Sequence, residues 1–339
     1  MDGEFITEAD PIVGYGHRGH EKMAENRTYK QFFPNASRLD YLSGMIYNHG
    51  YALAVEKLAG IEVPERAKYI RTICSELNRI SSHLLWFGAY VMDLGGFTPF
   101  LYAFDDREQI LDILDSVSGS RLTYSYCRFG GVAKDIDAKF VADTRGFVRR
   151  LRERMKEYDT LVTKNIIFIH RTRGVGIITP ELAREYGVTG PPLRACGVPY
   201  DIRKVEPYEI YDRFNFDIPT FKNGDALDRY KVRLAEMEQS CRIIEQALDQ
   251  LPDGPVRNEK ASFNVSPPKG EVYFAFESAR GATGFYIVSD GSRSPYRCRL
   301  RVPSFGNLHV LTAVLNETLV ADAISILGSI DIVVPEVDR

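Results

Sequence analysis

The sequence predicts a mainly helical α+β fold, and three observations predict it. Between residues 65 and 248 several long stretches place apolar side chains at three- and four-residue steps. After Pro268 that rhythm gives way to alternation of apolar with polar or small residues, the mark of short antiparallel strands. The chain has 339 residues, 44% of them hydrophobic, and at that length roughly three quarters of the unfolded surface can be buried. No low-complexity linker or internal repeat divides it, so the simplest organisation is a single domain over residues 1–339 built on a helical core.

Taken in order, the first signal is the segment Gly14-Tyr15-Gly16-His17-Arg18-Gly19, with Asp40 about twenty residues further on. The spacing matches the dinucleotide fingerprint, but the context does not. Asp10 and Pro11 interrupt the strand that should precede it, and Pro34 with no second strand lies before Asp40. A Gly-rich turn opening a helix is the expectation. The chain after Asp40 again reads as helix. From Glu65 to Val91 the residues Tyr69, Ile70, Ile73, Leu77, Ile80, Leu84 and Phe87 form one stripe, with Pro64 at the first turn. A second helix is expected over about 138–163, from Val141, Val148, Leu151, Met155, Tyr158 and Val162. The third is the most regular, running from Leu227 through Tyr230, Leu234, Met237, Cys241 and Ile244 to Leu248 before Pro252 and Gly254 stop it. Packed together these helices make a bundle core. The strands follow: Val272, Phe274 and Phe276; Phe285 and Ile287; Tyr296, Cys298, Leu300 and Val302, separated by Gly281, Gly284, Asp290-Gly291 and Pro295. A final helix is expected over about 306–327.

Composition excludes several classes of function. The formal charge of -3 and pI near 6.1 give no electrostatic case for nucleic acid. Cys74, Cys127, Cys196, Cys241 and Cys298 are far apart with no Cys-x-x-Cys pair, which suits reduced thiols and neither a disulfide framework nor a zinc site. The N-terminus shows no basic stretch followed by an apolar one. No window approaches the roughly 18 to 20 apolar residues of a spanning helix. The most apolar run, from Leu308 to Val334, is interrupted by Asn316, Glu317 and Asp322. Work at a membrane would therefore be done through partners.

A set of motifs spread over the chain is more specific. They are Gly14 to Glu25, Arg38-Leu39-Asp40-Tyr41-Leu42-Ser43, Ala54-Val55-Glu56-Lys57-Leu58, Gly60 to Ala67, Glu76 to Leu84, Asp93-Leu94-Gly95, Gly190 to Ala195, Glu277-Ser278-Ala279-Arg280-Gly281, Val302-Pro303-Ser304-Phe305, and the closing Glu336-Val337-Asp338-Arg339. Together and in order they resemble the 49 kDa-type subunit of respiratory complex I, a relative of the nickel-iron hydrogenase large subunits. The hydrogenases carry Arg-x-Cys-Gly-x-Cys and Asp-Pro-Cys-x-x-Cys. Here Asp40, Ser43, Val333 and Glu336 stand at the four cysteine positions. Valine ligates nothing and a lone carboxylate is a poor substitute for thiolate, so hydrogen chemistry is excluded.

The resemblance implies a hydrogenase-large-subunit-like helical core with a small sheet, and a place in the peripheral arm of a proton-translocating NADH-quinone oxidoreductase. Tyr41 matches the tyrosine at the head of the quinone cavity, where a phenol can hold a carbonyl and supply a proton. By itself, a tyrosine at an apolar helix start reads as core. Asp93 matches an aspartate that relays protons with a histidine across the cavity. That histidine belongs to a His-Pro-x-x-His-Gly loop upstream of the first residues here, which either precedes Met1, comes from another chain or is lacking, so the relay is half supported; alone, Asp93 reads as a helix-end residue. Arg18 and Arg38 match arginines near a partner's cluster, where a guanidinium raises its potential; without the family they read as interface or salt-bridge arginines. His17 reads as support for its turn. Many members have Arg-Met-His where this chain has Arg121-Leu122-Thr123. Threonine does not titrate in this range, so a lower, less pH-dependent cluster potential is expected, as suits menaquinone.

The chain is expected to bind no cofactor and no metal of its own. Quinone is the substrate, the [4Fe-4S] cluster sits on a small B-type iron-sulfur partner, and NAD binds another subunit. Further expected partners are the C subunit, the ferredoxin-like I subunit and the membrane subunits A and H, at the cytoplasmic side of the inner (plasma) membrane. Two alternatives stay open: a subunit of a ferredoxin- or deazaflavin-linked, hydrogenase-like membrane complex, and a non-catalytic scaffold for the iron-sulfur partner.

Overall fold

The computed structural model describes residues 1–261 and 264–339. In chain order it contains α1 (His20–Glu25), α2 (Tyr29–Ala36), α3 (Gly44–Ala59), α4 (Glu65–Asp93), α5 (Phe97–Ser118), the short strands β1 (Cys127–Arg128) and β2 (Gly131–Val132), and α6 (Ala138–Tyr158). Next come α7 (Ile166–Thr172), α8 (Pro180–Glu185), α9 (Pro191–Ala195), α10 (Ile202–Val205) and α11 (Ala226–Asp249). Strands β3 (Gly270–Glu277), β4 (Ala282–Ser289) and β5 (Arg297–Arg301) precede α12 (Pro303–His309), α13 (Leu311–Val314), α14 (Val320–Ile330) and α15 (Val334–Asp338).

The expected α+β organisation is present. Helix α4 is the axis, with α3, α5 and α11 against it. The sheet is antiparallel in the order β3-β4-β5, with Val272 opposite Ile287 and Ile287 opposite Cys298. Alternation therefore puts Val272, Phe276, Phe285, Ile287 and Cys298 into the core. Helix α3 packs on that sheet at Gly50, where an added Cβ would lie 2.4 Å from the Phe276 ring. Gly50→Ala is therefore expected to cost about 1–3 kcal/mol by overpacking, read as a lower unfolding temperature of the assembled enzyme.

The apolar stripe of α4 suggests a helix with one wet face. Instead nearly every face is covered, and charge is taken inside in pairs. Arg71 meets Glu56 at 2.6 Å and Glu209 at 3.0 Å; Arg79 and Arg203 meet Glu76 at 3.2 and 3.1 Å. These arginines and glutamates are buried. Such pairs add little net stability while intact, yet losing one partner strands the other.

Two expectations need correction. The helix over 306–327 is broken into α12, α13 and α14. The N-terminal segment inserts its backbone there: Glu317 N–H donates to the Ile6 carbonyl, Ile6 N–H to Thr318, and Val320 N–H to Glu4. Glu317 takes a left-handed φ of 59° to allow it. The second helix runs to Tyr158 and continues as a π-turn over Asp159–Thr163. Helix α5, 22 residues long, is not among the elements read from the sequence. Its stripe is blurred because Asp106 is fully buried, bonded to Tyr158 and Arg154, while Phe97 and Leu101 are exposed. All five cysteines are buried free thiols.

Candidate functional site

The turn between α2 and α3 is held from three sides. A capping box starts α2: Gln31 N–H donates to the Thr28 hydroxyl at 3.3 Å, and Thr28 N–H donates to the Gln31 side chain at 3.1 Å. At the far end, Asp40 folds back on its own turn, its Oδ1 accepting from the N–H groups of Leu42 and Ser43 at 3.1 and 3.2 Å. From α4, Asn78 accepts from Met45 N–H at 3.1 Å and donates to the Leu42 carbonyl at 3.0 Å. Asp40, Leu42 and Ser43 are buried, whereas Tyr41 between them is 40% exposed. Among the described residues nothing hydrogen-bonds the Tyr41 phenol. A fixed backbone thus presents an unpartnered donor outward.

Behind this turn lies a buried charged cluster centred on Arg280, which the β3–β4 turn delivers. Gly281 holds φ 135° at that turn, and a Cβ on Gly190 would lie 2.2 Å from the Arg280 carbonyl, so the two loops touch through glycine. The guanidinium donates to Asp40 Oδ2 at 2.7 Å, to the Ser82 and Ser43 hydroxyls at 3.2 and 3.3 Å, and to Asp331 Oδ1 at 3.0 Å. Asp331 caps the end of α14 in a left-handed conformation, φ 62°. Arg233 of α11 donates to the carbonyls of Ser329 and Ile330, both at 2.8 Å, and lies 4.2 Å over the Trp86 ring. Burial lowers its pKa to about 10, which leaves it charged at neutral pH. Glu336 of α15 completes the group, bonded to the hydroxyls of Tyr47 and Ser304.

The four positions that hydrogenases give to cysteine are held as two pairs, Asp40 and Ser43 through Arg280, Val333 and Glu336 through Ser304, to whose hydroxyl the Val333 N–H donates at 3.3 Å, and the Asp40 and Arg280 charges act on Glu336. A protein cation stands among them. Among the described residues no group of three His, Cys, Asp or Glu side chains has metal-binding geometry.

The remaining predicted residues separate into two groups. Arg18 and Arg38 belong with the turn: Arg18 Nη2 donates to the Arg38 carbonyl at 2.5 Å, and Arg38 Nη1 to the Pro34 carbonyl at 2.7 Å. Burial, then the Arg38 charge, lowers the Arg18 pKa. The Gly14–Gly19 segment is the expected turn opening a helix. The N–H groups of Gly14 and Gly16 donate to the Asp338 carboxylate at 2.8 and 2.6 Å, and His17 Nδ1 contacts the Asp338 carbonyl at 2.6 Å. That amide cradle holds the chain's own C-terminal helix.

Asp93 lies elsewhere. It ends α4, exposed, eleven residues beyond Ser82, hence roughly 16 Å further along the helix at 1.5 Å per residue. A cavity of about 290 Å³ adjoins it, lined by Leu94, Gly95, Phe97, Leu161, Ile167 and Phe168 among others. Around this end the surface is apolar: Phe97, Ile166 and Ile167 are more than 60% exposed, and Val320, Ile324 and Leu327 form a bare stripe on α14, which packs beside α7. No helix of the described residues is long and apolar enough to cross a membrane.

Sequence reasoning singled out Tyr41, Arg18 and Arg38 but missed the roles of Arg280, Asp331, Asn78, Tyr47 and Ser304. Glu277-Ser278-Ala279-Arg280-Gly281 was a visible motif; its partners, 51 and 240 positions away, were not.

Comparison with known proteins agrees with the resemblance. The family model described as the respiratory-chain NADH dehydrogenase 49 kDa subunit matches residues 93–266 and 260–339. The chain is 73% identical over all its 339 residues to the D subunit of the NADH-quinone oxidoreductase of Syntrophobacter fumaroxidans, covering 91% of that protein. It is 57% identical to the D subunit of the same enzyme in Desulfotalea psychrophila, again covering 91%, and 51% identical to the D 2 subunit in Opitutus terrae, covering 85%.

Proposed function

The chain belongs to the 49 kDa subunit family of respiratory-chain NADH dehydrogenase, and from that premise we propose that it forms the quinone-reduction site, with Tyr41 as the group that meets the quinone. It is a peripheral subunit of a complex I-type NADH-quinone oxidoreductase and takes part in that enzyme's catalysis as one of several subunits. The observation that carries the proposal is the unpartnered Tyr41 phenol, presented by a turn fixed through Asp40 and Asn78. Such a phenol donates a hydrogen bond to a quinone carbonyl and stabilises negative charge as it builds on that oxygen. Preorganisation of the backbone means that little reorganises at the moment of reduction.

In this reading Arg18 and Arg38 lie beside the [4Fe-4S] cluster of a small iron-sulfur partner, and their charge raises that cluster's potential. NAD binds elsewhere in the complex. Asp93 and the cavity beside it take part in proton transfer at the far end of the quinone path. The apolar surface of Phe97, Ile166, Ile167 and the α14 stripe supports docking against partner subunits at the cytoplasmic face of the inner membrane, since exposed apolar patches of this kind mark interaction sites. The C, I, A and H subunits are the proposed company. Recovery of the tagged chain from its native membranes in mild detergent should bring down a four-cysteine iron-sulfur protein together with membrane subunits. A chain recovered alone would contradict the placement.

Thr123 supplies a second check. It takes a left-handed φ of 53° and carries no group that titrates near neutrality. The partner cluster's midpoint potential is therefore expected to vary little with pH. A redox titration of the assembled enzyme giving a slope near one proton per electron would refute this.

A further inference from the structure

Glu336 is set apart from nearly all other buried carboxyl groups by its partners. Glu56, Glu76, Asp106, Asp201, Glu209, Glu236, Glu277, Asp40 and Asp331 each pair with at least one arginine. Asp225 and Asp228 instead accept backbone N–H groups at helix α11. Among the described residues Glu336, fully buried, touches neither a cation nor a backbone donor, only the hydroxyls of Tyr47 and Ser304. A hydroxyl serves a carboxylate as donor and a carboxylic acid as acceptor, so this pair suits either protonation state.

The surrounding charges decide which state is at rest. Facing Glu336 are Asp40 from the α2–α3 turn, Tyr47 from α3, Arg280 from the β3–β4 turn and, through Arg280, Asp331 from the end of α14, itself beside Arg233 at 3.8 Å. Asp338, on the same helix α15, faces the Gly14–Gly16 amides instead. Two arginines balance two aspartates, and an ionised Glu336 would be the uncompensated third anion. We propose that Glu336 rests as a neutral carboxylic acid and acts as the proton-holding group of this site, its ionisation placing an unbalanced negative charge behind the Tyr41 turn that opposes reduction of a quinone there. The second half of that statement rests on the quinone reading of Tyr41.

Burial first, then the Asp40 carboxylate, raises the Glu336 pKa from 4.5 to about 8. Folding thus takes up a proton at this residue. The stability it contributes is fully present below about 4.5 and is lost as pH rises through about 8.

The test uses the assembled enzyme at fixed redox poise. Infrared spectra of wild type minus Glu336→Gln should show a carboxylic C=O band at pH 7 that disappears with a midpoint near pH 8. Wild-type quinone reduction should fall about tenfold from pH 7 to 9, as the acid fraction does, while Glu336→Gln, which mimics the neutral acid, should vary little over that range. Tyr47→Phe removes a donor to the carboxylate and should move the band's midpoint up by about one pH unit; it carries the test alone if Glu336→Gln does not assemble. A missing band at pH 7 overturns the protonated resting state, and an unmoved midpoint in Tyr47→Phe overturns the assignment of the band to Glu336. A band accompanied by the same alkaline fall in Glu336→Gln overturns the link to reduction. Failure of the Tyr41 reading would show separately, as normal turnover in Tyr41→Phe with the band intact.

Discussion

Tyr41→Phe should leave the complex assembled and lower quinone reduction by about 100-fold, roughly 2.7 kcal/mol of transition-state stabilisation. The ring stays and only the hydroxyl goes, so the turn held by Asp40 and Asn78 has no reason to move. What disappears is the outward donor proposed to meet a quinone oxygen while it gains charge. General-acid and oxyanion-type donors are each worth about two to three powers of ten when removed singly. Electron transfer from NADH to an artificial acceptor upstream should be unchanged, because it does not use this turn. The scaffold reading predicts the opposite result, normal quinone reduction with normal assembly. Measuring both activities on the same preparation separates the two.

Arg280→Met should act on stability before it acts on chemistry. It removes the shared partner of Asp40 and Asp331, which face each other across one guanidinium at 2.7 and 3.0 Å in a water-excluded core. Breaking a buried ion pair from one side costs about 3–5 kcal/mol because the remaining charge is stranded; here Asp40 is stranded, and Asp331 keeps Arg233 at 3.8 Å. The expected outcome is a sharp fall in the amount of this subunit in membranes and a lower unfolding temperature for what remains. Arg280→Lys keeps the charge but lacks the planar fork that reaches two carboxylates, so it should fall between the two. Wild-type accumulation of Arg280→Met would show that the cluster is not what holds the three segments together.

Those two residues also mark what the sequence made legible. The long helices and the sheet could be read directly, because their apolar periods survive into the fold: Leu227 to Leu248 lie within α11, and Val272, Phe276, Phe285 and Ile287 line the core face of the sheet. Helix α5 was hidden because a core position carries Asp106 and surface positions carry Phe97 and Leu101. The break between α13 and α14 was hidden because its cause, the backbone of residues 4–6, is more than 300 positions away. The site behaves likewise. Tyr41 stood out only through family resemblance, since a lone tyrosine at a helix start looks like core. No local pattern could announce that Arg280 would cross to Asp40, or that Glu336 would find hydroxyls where its neighbours find arginines.

The most direct measurement of the central claim is photolabelling of the assembled complex with an azido-quinone, followed by mapping of the modified peptide. The quinone site proposed at the α2–α3 turn predicts label within residues 38–45, suppressed by excess unlabelled quinone and weakened in Tyr41→Phe. Competable label confined to other segments, with the Arg38–Met45 peptide unmodified, would contradict it.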